Sequence, residues 1–63
     1  MADYYIIYDK NSNRYVTTIG RDKLGWKKDI NLATQFLHKD ALNLCDELEA
    51  AEKSLNLELK EYV

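Results

Sequence analysis

Proline is absent from these 63 residues, glycine occurs twice, and there is one cysteine, Cys45, and one histidine, His38. One cysteine cannot close an intrachain disulfide, and with a single histidine it cannot furnish the four ligands of a structural zinc site. No run approaches the roughly 18 apolar residues that a membrane-spanning helix needs. Met1-Ala2-Asp3 leads straight into a strand-like segment, without the basic and apolar regions of a secretory signal. With a lone cysteine, this reads as a protein of a reducing cytoplasm, and no membrane partner is expected. Internal repeats, low-complexity tracts and linkers are also missing.

A chain of this length is one domain, residues 1–63. It buries only about 60% of the surface its unfolded form exposes, so a packed core, self-association or a partner must supply its stability. The hydrophobic fraction of 46% is that of a globular chain. A strong basic balance is lacking too. Residues 1–32 carry six basic and four acidic side chains, and residues 33–63 carry three and seven, so the halves are +2 and −4. This polarity weakens the case for general nucleic-acid binding, which needs a basic face toward phosphate.

Tyr4-Tyr5-Ile6-Ile7-Tyr8 is wholly aromatic or β-branched and predicts a strand. Asp9 to Asn13 has turn chemistry, and residues 14–19 return to strand composition, so the two runs form a β-hairpin. A four-residue loop would set Tyr8 opposite Tyr15, and a three-residue loop would set Ile7 there instead. The choice flips the faces of one strand. Residues 20–25 read as a loop bracketed by the two glycines. Trp26, Ile30, Ala33 and Phe36 or Leu37 have helical spacing. Asp29 is the expected N-cap of one or two helical turns over residues 30–36. The main helix is expected over about 39–53, from the stripe Ala41, Leu44, Cys45, Leu48 and Ala51. Asp40 suits its first turn, and Glu49 and Lys53 form an i, i+4 pair. In the tail, Leu55, Leu57 and Leu59 alternate with Asn56, Glu58 and Lys60, a period of two that favours a strand over about 56–62 against a prolonged helix. The expected fold is α+β in ββαβ order. A hairpin and a C-terminal strand make a small antiparallel sheet, one face is covered by one amphipathic helix, and a short helical turn precedes that helix.

No catalytic constellation emerges. Ser12 and Ser54 lie in turns, and Cys45 lies on the apolar stripe among acidic neighbours, the setting of a small buried hydrophobe and not of a reactive thiolate. His38 is expected beside the helix N-terminus. Asp9, Asn11 and Asn13 have the opening spacing of a calcium loop, but Arg14 and Gly20 replace the glycine and the glutamate that such a loop requires. No cofactor, metal or catalytic residue is assigned. Trp26 has two readings, a cap on the core between sheet and helix, which is favoured, or an interface anchor.

The tyrosines are the informative surface feature, because only one face of the hairpin can lie under the helix. Tyr4, Tyr8 and Tyr15, with Arg14, Arg21, Lys23 and Lys27, form the candidate binding set, since aromatics and arginine are enriched at protein interfaces. The chain resembles small, mostly uncharacterised proteins of phages and mobile elements of Gram-positive bacteria. That resemblance rests on the Tyr-Tyr-Ile-Ile-Tyr strand, on Trp26-Lys-Lys-Asp29-Ile30-Asn-Leu-Ala33-Thr-Gln-Phe36, and on Lys39-Asp40-Ala41 opening a helix. It implies a non-enzymatic accessory factor that binds and modulates a host or defence protein in the host cytoplasm. No functional residue carries over from it. The alternative is a single-stranded nucleic-acid module that stacks bases on the hairpin tyrosines. A third reading is homodimerisation through an unpaired edge strand, which is compatible with the protein-binding role.

Overall fold

The computed structural model describes residues 3–20 and 23–62. It is α+β, with a single antiparallel four-stranded sheet and one helix. Strand β1 is Tyr4–Asp9, β2 is Arg14–Thr18, β3 is Leu24–Lys27 and β4 is Leu57–Tyr62. A 3₁₀ turn at Ile30–Leu32 precedes helix α1, His38–Ala51. The strands lie in the order β3-β2-β1-β4.

The hairpin takes the four-residue loop. Tyr8 faces Tyr15 and Asp9 faces Arg14. Asn13 closes the turn in the left-handed region at φ 57, a conformation that asparagine tolerates, and its amide reaches the Asp9 carbonyl at 2.9 Å. β4 returns antiparallel along β1, with Tyr4 opposite Tyr62 and Ile7 opposite Leu59. The alternating tail is therefore a strand.

Two expectations for the segment between hairpin and helix are corrected. Residues 20–25 are not all loop, because Leu24–Lys27 forms a fourth strand that pairs Val16 with Trp26 and Thr17 with Gly25. The exposed side chain of Ile19 lies across Gly25, and a Cβ there would make it move aside. Nor are residues 30–36 helical throughout. Asp29 caps as expected, accepting from the Asn31 amide at 2.9 Å, but the helical turn ends at Leu32. The following segment is extended and fills the gap where β1 and β2 diverge. The Thr34 amide donates to the Val16 carbonyl at 3.1 Å, and Phe36 pairs with Tyr5.

Helix α1 has the expected stripe as far as Leu48, but Ala51, the last residue of the helix, is exposed and does not join it. Ala41 and Cys45 are buried against Ile7 and Val16, and Tyr5, Trp26, Phe36, Leu44, Leu48, Leu57 and Leu59 pack around them. Trp26, delivered from β3, is half-buried and packs against this core. The helix stops at Ala51, where Glu52 is the C-cap, so Lys53 lies beyond it and cannot act as the helical partner of Glu49. Ser54 and Asn56 then carry the chain into β4, and their backbones are held from the hairpin. Asn11 Nδ2 donates to the Ser54 carbonyl at 2.6 Å, and the Lys10 amide donates to the Asn56 carbonyl at 2.9 Å.

Candidate functional site

Strand alternation sorts the sheet into two faces. Tyr5 and Ile7 point toward the helix together with Val16, Trp26, Leu57 and Leu59. Tyr4, Ile6 and Tyr8 therefore point away from it. Through the observed registers, so do Tyr15, Lys27, Glu58, Lys60 and Tyr62.

This second face has an inner and an outer part. Tyr8 and Tyr15 form a cross-strand pair with ring centroids 4.8 Å apart, tilted by 44°. Such tilted pairs are favoured by the ring quadrupoles. Lys60, diagonal to Tyr8, sets its Nζ 4.3 Å from the centre of the Tyr8 ring. The Tyr8 hydroxyl donates to Asn13 Oδ1 at 2.5 Å. Ile6, with Tyr4 and Tyr8 as its neighbours on the face and Lys60 opposite, is only 1% exposed. The middle of this face is a second small core. Its free aromatic surface lies at one end, where Tyr4 and Tyr62 are cross-strand partners, 46% and 37% exposed.

The candidate binding set is therefore brought together only in part. Tyr4, Tyr8, Tyr15 and Lys27 share the face, with Tyr15 opposite Lys27. Arg14 is paired with Asp9 and points by alternation to the helix side, so it does not join them. Lys23 sits in the β2–β3 connection, where its carbonyl accepts from the Ile19 amide at 3.0 Å. Arg21 lies outside the described residues. Tyr62 is the residue that sequence reasoning missed. Its signal was the parity of the tail: if Leu57 and Leu59 face inward, Glu58, Lys60 and Tyr62 face outward.

The polar groups considered for chemistry are engaged elsewhere. Asp9 is 3% exposed. Burial pushes its carboxyl pKa up, but donation from the Ser12 hydroxyl and the Asn56, Asn11 and Ser12 amides outweighs that, leaving it below the ordinary 3.8. The Asp9 oxygens lie 2.6 Å from Ser12 Oγ, 3.0 Å from the Asn56 nitrogen and 3.2 Å from the Asn11 nitrogen. This carboxylate holds the hairpin turn onto the start of β4. The Ser54 hydroxyl lies 3.3 Å from Glu52 Oε1, and the His38 ring packs at 4.7 Å on Tyr5. Burial of Cys45, aided by the charges of Glu49 and Asp46, pushes its thiol up to about 11. Among the described residues there is no group of three or more His, Cys, Asp or Glu side chains placed to hold a metal ion, and there is no enclosed pocket. No helix among them is long and apolar enough to cross a membrane.

Fold and surface together define a small α+β domain whose sheet is covered by a helix on one side and bears an aromatic face on the other. No protein-family model, curated protein or solved structure matches the chain.

Proposed function

We propose that this is a non-enzymatic interaction protein that binds another protein through the sheet face opposite the helix. The observation that carries this reading is the Tyr4–Tyr62 pair, two exposed tyrosines side by side on a face that the chain's own helix leaves uncovered. Tyrosine presents a large, rigid, amphipathic contact area at little entropic cost, and aromatic residues concentrate at the centres of protein interfaces. The tightly packed Tyr8–Tyr15–Lys60 cluster beside the pair holds the platform still, so little ordering is needed on binding. The resemblance to phage-borne accessory proteins directs the reading to a host protein.

Charge favours a protein over a nucleic acid. The face mixes signs, Lys27 and Lys60 with Glu58, instead of presenting a continuous basic stripe, and Arg14 is turned to the other side. Tyr8 and Tyr15 are packed on each other and are not splayed for base stacking.

The test is affinity capture from host lysate with the wild-type chain and with a Tyr4→Ser/Tyr62→Ser variant matched for far-UV circular dichroism. A protein retained by the wild type and lost by the variant is the expected result. Identical profiles from the two, or recovery of nucleic acid without protein, would overturn the reading.

A further inference from the structure

The outer edge of β4 ends the sheet on one side. Backbone groups on an edge strand can pair with a further strand. The direction in which each β4 residue presents its amide and carbonyl follows from the hydrogen bonds of β1. Tyr5 spends both groups on Phe36, and the Asp9 carbonyl accepts from Asn13, so the odd-numbered residues of β1 turn away from β4. Tyr4, Ile6 and Tyr8 therefore face Tyr62, Lys60 and Glu58 across the β1–β4 ladder. In an antiparallel ladder both groups of a residue point the same way. Leu57, Leu59 and Glu61 are left presenting theirs to the outside. The opposite edge, β3, is a shorter strand with Gly25 inside it.

A second copy of this chain fits that edge in one register better than in its neighbours. Two antiparallel β4 strands related by a twofold axis perpendicular to the sheet keep matching faces on the same side. With Leu59 on the axis, Leu59 pairs with Leu59, and Leu57 with Glu61 in both directions, so every outward residue of β4 exchanges bonds with another. On the aromatic face, the same register sets Glu58 of each copy opposite Lys60 of its partner, twice. Sliding by one step each way puts Lys60 opposite Lys60 or Glu58 opposite Glu58. Opposite charges directly across a ladder stabilise it, and like charges destabilise it. We propose that the chain forms a twofold dimer by β4–β4 pairing centred on Leu59. The result is one continuous sheet with both helices on one side and both Tyr4–Tyr62 pairs on the other. Twofold association is the commonest assembly of soluble proteins.

The charge pairing supplies the test, made with purified chain and no other partner. In sedimentation equilibrium, the wild type should rise from its 7.4 kDa monomer mass toward twice that with concentration. Glu58→Lys and Lys60→Glu should each weaken dimerisation at least tenfold, because each creates like pairs. Mixing the two variants in equal amounts should restore the dimer, because each then meets its opposite. Glu61→Pro removes an outward amide without touching the β1 ladder and should also weaken dimerisation. It serves as the check should Lys60→Glu disturb the Tyr8 packing. A wild type that stays monomeric into the millimolar range would overturn the proposal. So would a dimer that both Glu58→Lys and Glu61→Pro leave intact, or whose charge variants fail to recombine.

Discussion

Tyr5 and Phe36 exchange a reciprocal pair of backbone hydrogen bonds, the Tyr5 amide to the Phe36 carbonyl at 2.7 Å and the Phe36 amide to the Tyr5 carbonyl at 2.8 Å. This one bridge does the work of a strand. It occupies β1 where β2 has diverged, brings the Phe36 side chain against the core, and delivers the chain to the start of α1. Truncating the side chain keeps the bridge but leaves a void beneath it. Phe36→Ala should cost about 2–4 kcal/mol, the lower part of the usual range because Phe36 is only half-buried. Urea denaturation should show the loss as a lower midpoint at unchanged slope.

Asp9 links two ends of the chain that are far apart in sequence, through its bonds to Ser12 and to the Asn56 amide. Asp9→Ala would strand these donors, and the expected loss is about 2–4 kcal/mol at neutral pH. The pH dependence follows from the depressed pKa. Below 3.8 the unfolded chain protonates Asp9 before the folded chain does. The stabilisation is therefore fully present above 3.8 and is lost as pH falls through the folded value. Thermal melts of the wild type should fall in that acid window, and Asp9→Asn should remove this part of the slope while starting from a lower melting temperature.

How much of this was legible beforehand varied with how local the cause was. The hairpin, the main helix and the final strand are written in neighbouring residues: turn formers between β-branched runs, a three-and-four stripe, and alternation in the tail. Strand β3 was hidden because Gly25 and the flanking lysines look like loop, whereas its reason for being a strand, the pairing with β2 and the packing of Trp26, is tertiary. Residues 33–37 have helical spacing, but pairing with Tyr5 and Val16 overrides it. The binding set was half visible for a related reason. The facing of Arg14 and Tyr15 depends on hairpin register, and the facing of Tyr62 depends on which strand β4 joins.

Helix α1 begins without help from its N-cap. Leu37 occupies that position at φ −65 and ψ 151, makes no side-chain capping bond, and is exposed. Serine or aspartate there can accept from an otherwise unpaired amide of the first turn. Leu37→Asp should stabilise the protein by about 0.5–1.5 kcal/mol, with a further small gain from the helix dipole. A rise in melting temperature at equal far-UV circular dichroism is the expected reading. No change would mean that Leu37 contributes apolar contact worth as much as the missing cap.

Cys45 is 8% exposed on the buried stripe of α1, beside Ile7, Val16 and Ala41. Burial, with the nearby charges of Glu49 and Asp46, raises its thiol from the ordinary 9.0 to about 11, so at neutral pH almost none is in the nucleophilic thiolate form. A thiol reagent should therefore label the folded chain slowly and the urea-unfolded chain at once, with the labelled fraction tracking the denaturation curve. The raised value also has a stability consequence. Between pH 9 and pH 11 the folded state holds a proton that the unfolded state has lost, so stability contributed below pH 9 declines as pH rises through that window. Cys45→Ala removes this alkaline slope at the expense of a small cavity. Cys45→Ser places a hydroxyl among apolar neighbours and should cost about 1–3 kcal/mol. If the folded thiol instead reacts as fast as a free one, the Cys45 face of the helix opens readily, and the core packing described for Ile7 and Val16 cannot be what holds the helix down.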